Sequence, residues 1–442
     1  MQAVTFAALK TVVCQQPIMG VSVVDETPRA ASWVRLDTID LQEVTTFITV
    51  PGGQQFIEDQ HQKPFERLGE LPLWRVVVAE HQSNVAGSLV SGDVDNPIND
   101  IVFDVGFFYY HAIGDGLSGA AFHLDFLDAL NALRAETASS PLPLEPVIEV
   151  PKLELLPNLE DAAHFPLSIM FIGWEVIKEF ILGDKDSKRW TGPPVMFSPE
   201  TPPKTRMITI FLDSAISAKI SARCRNNKVT ITPLLTVLLA RHIAATYPPY
   251  SRFLGTIAIQ LRRFTGVSNR QMVNHVSGVT VKCSTATNGE KGYVPCQYVD
   301  WEAVRACKAV IDGAAESPAN QIIILLKFLS NMEEFFRSKV GKGRSWSFEL
   351  SNVGLVDGGL QHDGLAKFRR LVFSQSANVA EAPHVFSMAS VKGGDMAIVL
   401  TWQEGVLEED KAKKVMEDLQ GELHLVAMEY DLEKANKVIS NE

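Results

Sequence analysis

The chain has 442 residues, of which 46% are hydrophobic and 21% charged, and carries a formal net charge of −11. So much apolar material excludes disorder as the dominant state, and the acidic balance excludes the broad basic face that a nucleic-acid binder needs, although a local pocket can still be basic. The length exceeds what one core usually fills, so two lobes are expected.

In chain order, an amphipathic helix is predicted over Val4–Val13, then strands at Ile18–Val24 and Trp74–Ala79. Ile101–Tyr110 is the clearest strand, with Ile101, Phe103, Val105, Phe107 and Tyr109 on one face. From Leu117 to Ala135 the period switches to that of a helix, through Leu117, Ala120, Ala121, Leu124, Leu127, Leu130 and Leu133. Two Pro-rich stretches, Ser139–Pro146 and Trp190–Lys204, flank an apolar helix candidate at Phe165–Leu182. The domain reading is therefore an N-terminal lobe over 1–185, a Pro-rich linker over 186–205 and a C-terminal lobe over 206–442.

In the second lobe, a strand at Arg206–Leu212 and a helix at Ser214–Asn226 precede a second helix, with Thr232 as its cap and Pro233 at its first position. Strands at Leu254–Leu261 and Val276–Cys283 lead to helices at Trp301–Ile311 and Asn320–Ser338. Strands at Trp346–Ser351, Leu371–Ser374, His384–Ala389 and Met396–Trp402 follow, the last two joined by a turn at Gly393-Gly394, and a helix closes the chain from Glu408 to Tyr430. Helices and strands mix in both halves, so the class is α/β with mixed sheets.

Cys14, Cys224, Cys283, Cys296 and Cys307 form no C-x-x-C pair. Neither a zinc site nor a disulfide framework is written there, and a reducing, cytoplasmic setting fits. The N-terminus lacks the basic start of a signal peptide. The apolar runs at 231–245 and 168–182 are interrupted by Arg241 and His242, and by Glu175, Lys178 and Glu179. No membrane-spanning run of about 20 apolar residues results, and peripheral membrane contact stays open.

The chemistry concentrates at His111-Ala112-Ile113-Gly114-Asp115-Gly116, the link between the clearest strand and its helix. If the alternation continues, His111 lies on the face of Phe107 and Tyr109, where a partly shielded imidazole can act as a general base. Gly114 and Gly116 allow close approach of a ligand or of another chain segment. On the residues alone, a lone histidine at a strand end such as His111 is more often a surface or satisfied core residue than a catalyst, and Asp115 is a natural N-cap for the helix that follows. A serine hydrolase is a further reading, since Gly116-Leu117-Ser118-Gly119-Ala120 approaches a nucleophile elbow.

H-x-x-x-D-G on such a turn resembles the signature of the acyltransferases related to chloramphenicol acetyltransferase and the condensation domains. Pro72-Leu73-Trp74-Arg75, Thr230–Leu235, Ile259–Arg263 and Phe348-Glu349-Leu350-Ser351-Asn352-Val353-Gly354 match in the same order, over most of residues 70–405. The subgroup it most resembles is the fungal-type alcohol O-acetyltransferases. Two departures stand: the doubled histidine is Tyr110-His111, and the D-F-G-W-G element of the plant branch is absent.

The resemblance implies two similar lobes with a tunnel at their interface, and O-acyl transfer from a thioester, acetyl-CoA, to a small, largely apolar alcohol such as a secondary metabolite. His111 is the implied base. Ser351 and Asn352 are the implied oxyanion donors, and Asp115 a structural residue paired with Arg263 or, second, Arg262. Tyr110, Gly116, His384, Phe386 and Trp402 are the implied substrate neighbours, with core packing the default reading of the aromatics, and Lys342 and Arg344 the implied contacts to coenzyme A phosphates, with a solvated loop the commoner reading of such a basic run. Acetyl-CoA is a co-substrate, so no bound cofactor and no metal are expected, and the protein is expected to act as a monomer. A carrier-protein donor and a non-catalytic binding role on the same fold are the remaining alternatives.

Overall fold

The structure, a computed structural model, describes residues 1–26, 31–49, 54–80, 102–136, 142–177, 186–198, 200–284, 299–329, 331–362 and 365–439. They form two compact units. The first comprises Met1–Ala162, Gly266–His275 and Gln361–Lys367; the second comprises Ala163–Thr265, Val276–Leu360 and Phe368–Glu442.

The first unit is built on a three-stranded mixed sheet. Strand β4 (Thr45–Ile48) runs parallel to β5 (Trp74–Glu80), and β5 pairs antiparallel with β6 (Phe103–Tyr109), so that Trp74 faces Tyr109. Two small antiparallel ladders accompany it, β1 (Val21–Val24) with β2 (Ser32–Arg35), and β3 (Thr38–Asp40) with β7 (Val147–Glu149). Helices α1 (Gln2–Gln15) and α2 (Gly116–Glu136) complete its core. On α1 the buried Phe6, Leu9, Val12 and Val13 recur at helical spacing. Phe107 of β6 stacks on Phe122 of α2 with centroids 3.8 Å apart, and a fully buried ring of this kind contributes about 2–3 kcal/mol.

The second unit carries a six-stranded mixed sheet. Its strands are β8 (Thr205–Leu212), β9 (Arg252–Gln260), β10 (Val276–Ser284), β11 (Phe348–Val356), β12 (His384–Val391) and β13 (Met396–Gln403), in the order β10-β9-β11-β12-β13-β8. Strand β11 is parallel to both neighbours, and the remaining pairs are antiparallel. One face packs on helices α3 (Ser214–Asn226), α4 (Ile231–Thr246), α5 (Trp301–Ala315) and α6 (Glu409–Ile439).

Several expectations need correction. The stretch 186–205 is no free linker: Trp190 is 7% exposed in the core of the second unit and stacks on Tyr247 at 4.1 Å, while Val195 exchanges backbone hydrogen bonds with Gly341 and Lys342. The two units part instead after Ala162, and two short pieces of the chain's second half join the first unit. Helix α4 has its N-cap at Thr230, two residues before Thr232, so that Pro233 is its third residue and not its first. The expected helix Asn320–Ser338 is a 3-10 segment, Ile322–Phe328, followed by a short helix, Met332–Arg337, that begins where the Asn331 side chain accepts from the Glu334 amide. A run of three isoleucines stiff at χ1 favours no continuous helix there. Leu371–Ser374 forms no strand, and the main-chain bonds of this stretch lie just before it, from Phe368 to Gly358 and from Asp395 to Arg369. The helix candidate at 165–182 is realised as Ile169–Ile177, and its last residues lie outside the described ones. Ile101 of the clearest predicted strand also lies outside them.

Candidate active site

β6 ends at Tyr109, where the backbone leaves the sheet for a short 3-10 turn, His111–Ile113, before α2 begins at Gly116. The alternation therefore stops before His111. Phe107 and Tyr109 are packed against α2, whereas His111 is exposed and does not extend their wall. Leu73 and Trp74, at the start of β5, hold the root of the turn: the Tyr110 amide donates to the Leu73 carbonyl at 2.9 Å, and Trp74 Nε1 to Met19 O at 2.8 Å.

Asp115 is 3% exposed and locks the turn. Its Oδ1 accepts from the Ser118 amide and lies 3.0 Å from Ser118 Oγ, and its Oδ2 accepts from the His275 amide at 3.3 Å. This is N-cap chemistry extended to a distant strand of chain. Tyr109 Oη donates to the Asp115 carbonyl at 2.6 Å. Gly114 is needed for clearance: a Cβ there would stand 2.6 Å from Ser118 Cβ and 2.8 Å from its Oγ. Ser118 is 0% exposed, and its hydroxyl also accepts from the Val273 amide at 3.1 Å. The nucleophile reading of Ser118 is thereby overturned, because its oxygen is sealed in the lock.

The segment Gly266–His275 reaches the turn from far along the chain. Asn274 Nδ2 donates to the His111 carbonyl at 3.1 Å and lies 3.4 Å from His111 Nδ1. Arg270 pairs with Asp125 and Asp128 on α2, and Gln16 at the end of α1 bonds Asp125, Arg270 O and the Met272 amide. These bonds fasten the segment that carries Asn274. Sequence reasoning missed it; the available signal is Asp125, a carboxylate only 6% exposed amid the apolar residues of α2. Among the described residues His111 Nε2 has no hydrogen-bond partner.

The family model for alcohol acetyltransferases matches residues 69–422, a span that contains the whole turn. The chain belongs to the alcohol acetyltransferase family. It is 26% identical over 428 residues to the probable alcohol acetyltransferase FCK4 of Fusarium pseudograminearum, covering 93% of this chain and 84% of that protein. It is also 26% identical over 369 residues to the probable alcohol acetyltransferase crmB of Aspergillus fumigatus, covering 80% and 72%. Among solved structures, it is similar to the trichothecene 15-O-acetyltransferase TRI3 of Fusarium sporotrichioides, at a TM-score of 0.66 and 12% identity over 96% of this chain and 85% of that one. The condensation domain of the monacolin K polyketide synthase MokA gives 0.56 and 13% over 97% and 88%. Family membership makes the chain an O-acetyltransferase, and the structural likenesses place it on the two-lobed condensation-domain fold.

In this alcohol acetyltransferase the other predicted residues fall out differently. Tyr110 is 52% exposed and meets Phe65 edge-on at 6.1 Å, and Gly116 opens α2. Arg263, the first-choice partner for Asp115, is exposed and donates Nη1 to the Ala315 carbonyl at 3.2 Å, whereas Arg262 is 2% exposed. His384, Phe386 and Trp402 are 0%, 0% and 3% exposed in the core of the second unit, so they pack helices against the sheet and form no substrate wall. Arg344 is 1% exposed and donates to the Pro193, Val379 and Glu381 carbonyls; burial pushes it down to about 10. It ties loops together, with Nη2 buried and without a hydrogen-bond partner among the described residues, while Lys342 keeps its side chain exposed.

Ser351 and Asn352 also have structural partners. Asn352 Nδ2 donates to Thr232 Oγ1 at 3.0 Å and its Oδ1 accepts from the Gly354 amide at 2.8 Å, next to a register shift where Gly354 holds φ +84°. That conformation favours glycine, so the S-N-V-G motif encodes a bulge braced on α4. Ser351 Oγ donates to Glu349 at 3.3 Å.

Proposed function

We propose that His111 is the general base with which this enzyme moves an acetyl group from acetyl-CoA to the hydroxyl of a small, largely apolar alcohol. The observation that carries the reading is an exposed imidazole, its Nε2 without a partner among the described residues, on a turn whose backbone is fixed by Asp115, Ser118 and Asn274. The firm Asn274 bond goes to the main-chain carbonyl, and the 3.4 Å approach to Nδ1 is at the limit of a hydrogen bond, so the ring stays free to carry its lone pair on Nε2.

A hydroxyl is a poor nucleophile at neutral pH. His111 takes its proton while the oxygen bonds to the thioester carbonyl carbon. Collapse of the tetrahedral intermediate breaks the C–S bond, and the thiolate takes the proton back from the imidazolium. A thiol has a pKa of about 8.5, so the thiolate leaves far more readily than an alkoxide, and one direct displacement suffices without an acyl-enzyme. The test is incubation with acetyl-CoA and an alcohol panel while free thiol is monitored. Alcohol-dependent thiol release with matching ester formation is expected, and its absence across the panel would remove the reading.

A further inference from the structure

One pocket of about 340 Å³ opens among the helix Ile169–Ile177, the edge strand β10, the end of α5 and the start of the 3-10 segment Ile322–Phe328. Every described residue that lines it belongs to the second unit. Its walls are tied together. The Ser168 amide, just before the helix, donates to Asn320 Oδ1 at 2.9 Å, and the Asn320 amide to the Pro166 carbonyl at 2.8 Å. Gln321 Nε2 donates to the Ala314 and Ser317 carbonyls at 2.9 and 2.7 Å. Gly313 of α5 lines the pocket, and a Cβ there would meet nothing within 4 Å, so no packing demands glycine. Glycine inside a helix costs about 0.5–1 kcal/mol relative to alanine, and a pocket kept wide accounts for that cost.

The polar atoms left over define what can enter. Gln321 is 3% exposed, and its Oε1 has no hydrogen-bond partner among the described residues, yet it is not a sealed atom. A buried carbonyl of this kind calls for a hydrogen from whatever fills the pocket. Against this acceptor stand donors without an acceptor among the described residues: Asn320 Nδ2 and the hydroxyls of Ser317 and Thr280, whose oxygens accept from the Ala319 amide at 3.2 Å and from Trp346 Nε1 at 3.0 Å. A hydroxyl gives one hydrogen and accepts two, and so suits one acceptor set among several donors. A carboxylate brings no hydrogen and would meet Glu175 with no lysine or arginine among the described lining residues. An ammonium brings three hydrogens and no acceptor. Phe171, Val279 and Ile322 supply the apolar wall.

We propose that this pocket binds an uncharged molecule of roughly ten non-hydrogen atoms, an apolar body bearing one hydroxyl that donates to Gln321 Oε1. The site does not depend on the acetyl-transfer reading of His111. Hydrogen exchange of the main-chain amides at 313–322 is titrated on the full chain, without acyl donor, with 2-phenylethanol, 2-phenylethyl methyl ether and phenylacetate. The alcohol is expected to slow exchange there with a dissociation constant about tenfold below that of the ether, the increment for satisfying one buried acceptor, and phenylacetate is expected to leave exchange unchanged. In Gly313→Leu, shown folded by its thermal melt, the new side chain fills the pocket and the alcohol should bind at least about tenfold more weakly. Should that variant not fold, Ala319→Leu decides in its place. The proposal is overturned by unslowed exchange at 313–322 with the alcohol, by an ether within about threefold of it, by protection from phenylacetate, or by alcohol protection that survives in the folded, filled variant.

Discussion

Two histidines show how differently one residue type is used in the two units. His111 sits on a turn of the first unit, exposed, with its main-chain carbonyl held and one ring nitrogen without a described partner. His384 begins β12 in the second unit, 0% exposed, between Trp190 and Phe386, and burial pushes it down to about 4 although the Ser347 carbonyl lies 3.3 Å from Nδ1. A base must exchange protons with substrate; His384 has exchanged that capacity for packing. The comparison teaches that the turn or strand carrying an imidazole, not its aromatic neighbours in sequence, decides whether the ring is exposed or packed away.

The largest separation is expected from alanine at each position. His111→Ala should lower kcat about 10²- to 10⁴-fold with an unchanged melting temperature. His384→Ala should leave turnover per folded molecule intact but lose about 2–4 kcal/mol in denaturant unfolding, through the cavity it opens. The reverse pattern would exchange their roles. Asp115→Asn comes next. One carboxylate oxygen becomes an amide nitrogen, which cannot accept from both Ser118 and His275, so activity should fall together with about 1–3 kcal/mol of stability. A stable but slower variant would contradict the lock.

Asn274→Ala tests the positioning of His111. A loss of about tenfold in kcat with KM held is expected, and a shifted pH–rate profile would separate this from simple loosening. Equal losses in kcat and thermal stability would reduce Asn274 to a structural brace. The smallest effect belongs to the second unit. Glu349 has a folded pKa of about 7 against an ordinary 4.5, so the native state holds its proton longer than the unfolded chain and stability falls as pH rises between those values. Glu349→Gln should remove that slope and gain roughly 1–2 kcal/mol over the wild type at pH 8 relative to pH 5; parallel pH curves would defeat it.

The periodic elements were legible because burial imposes its period directly. The alternation of Phe103–Tyr109 and the helical spacing after Gly116 place the turn within a residue of where it stands. Asp115 as an N-cap was readable from its position alone. What was not readable depends on contacts between residues far apart in the chain. Asn274 reaches His111 across 163 positions, and no local pattern announces it. For His384, Phe386 and Trp402 the sequence left core packing, its default, beside a place in the site, and the structure puts them in the core, because strand alternation cannot say which face of a sheet the helices cover.

The amino-acid sequence by itself determined the α/β class, the strand–turn–helix that presents His111, and the membership that makes the chain an O-acetyltransferase, since these rest on local periodicity and an ordered set of motifs. Tertiary structure alone decided that Ser118 is sealed, that Asn352 braces a bulge, that Arg344 ties loops, and that the chain divides after Ala162. Each of these turns on which polar group finds a partner when distant segments meet, and hydrogen-bond satisfaction in a folded interior is a property of the whole packing, not of any one stretch.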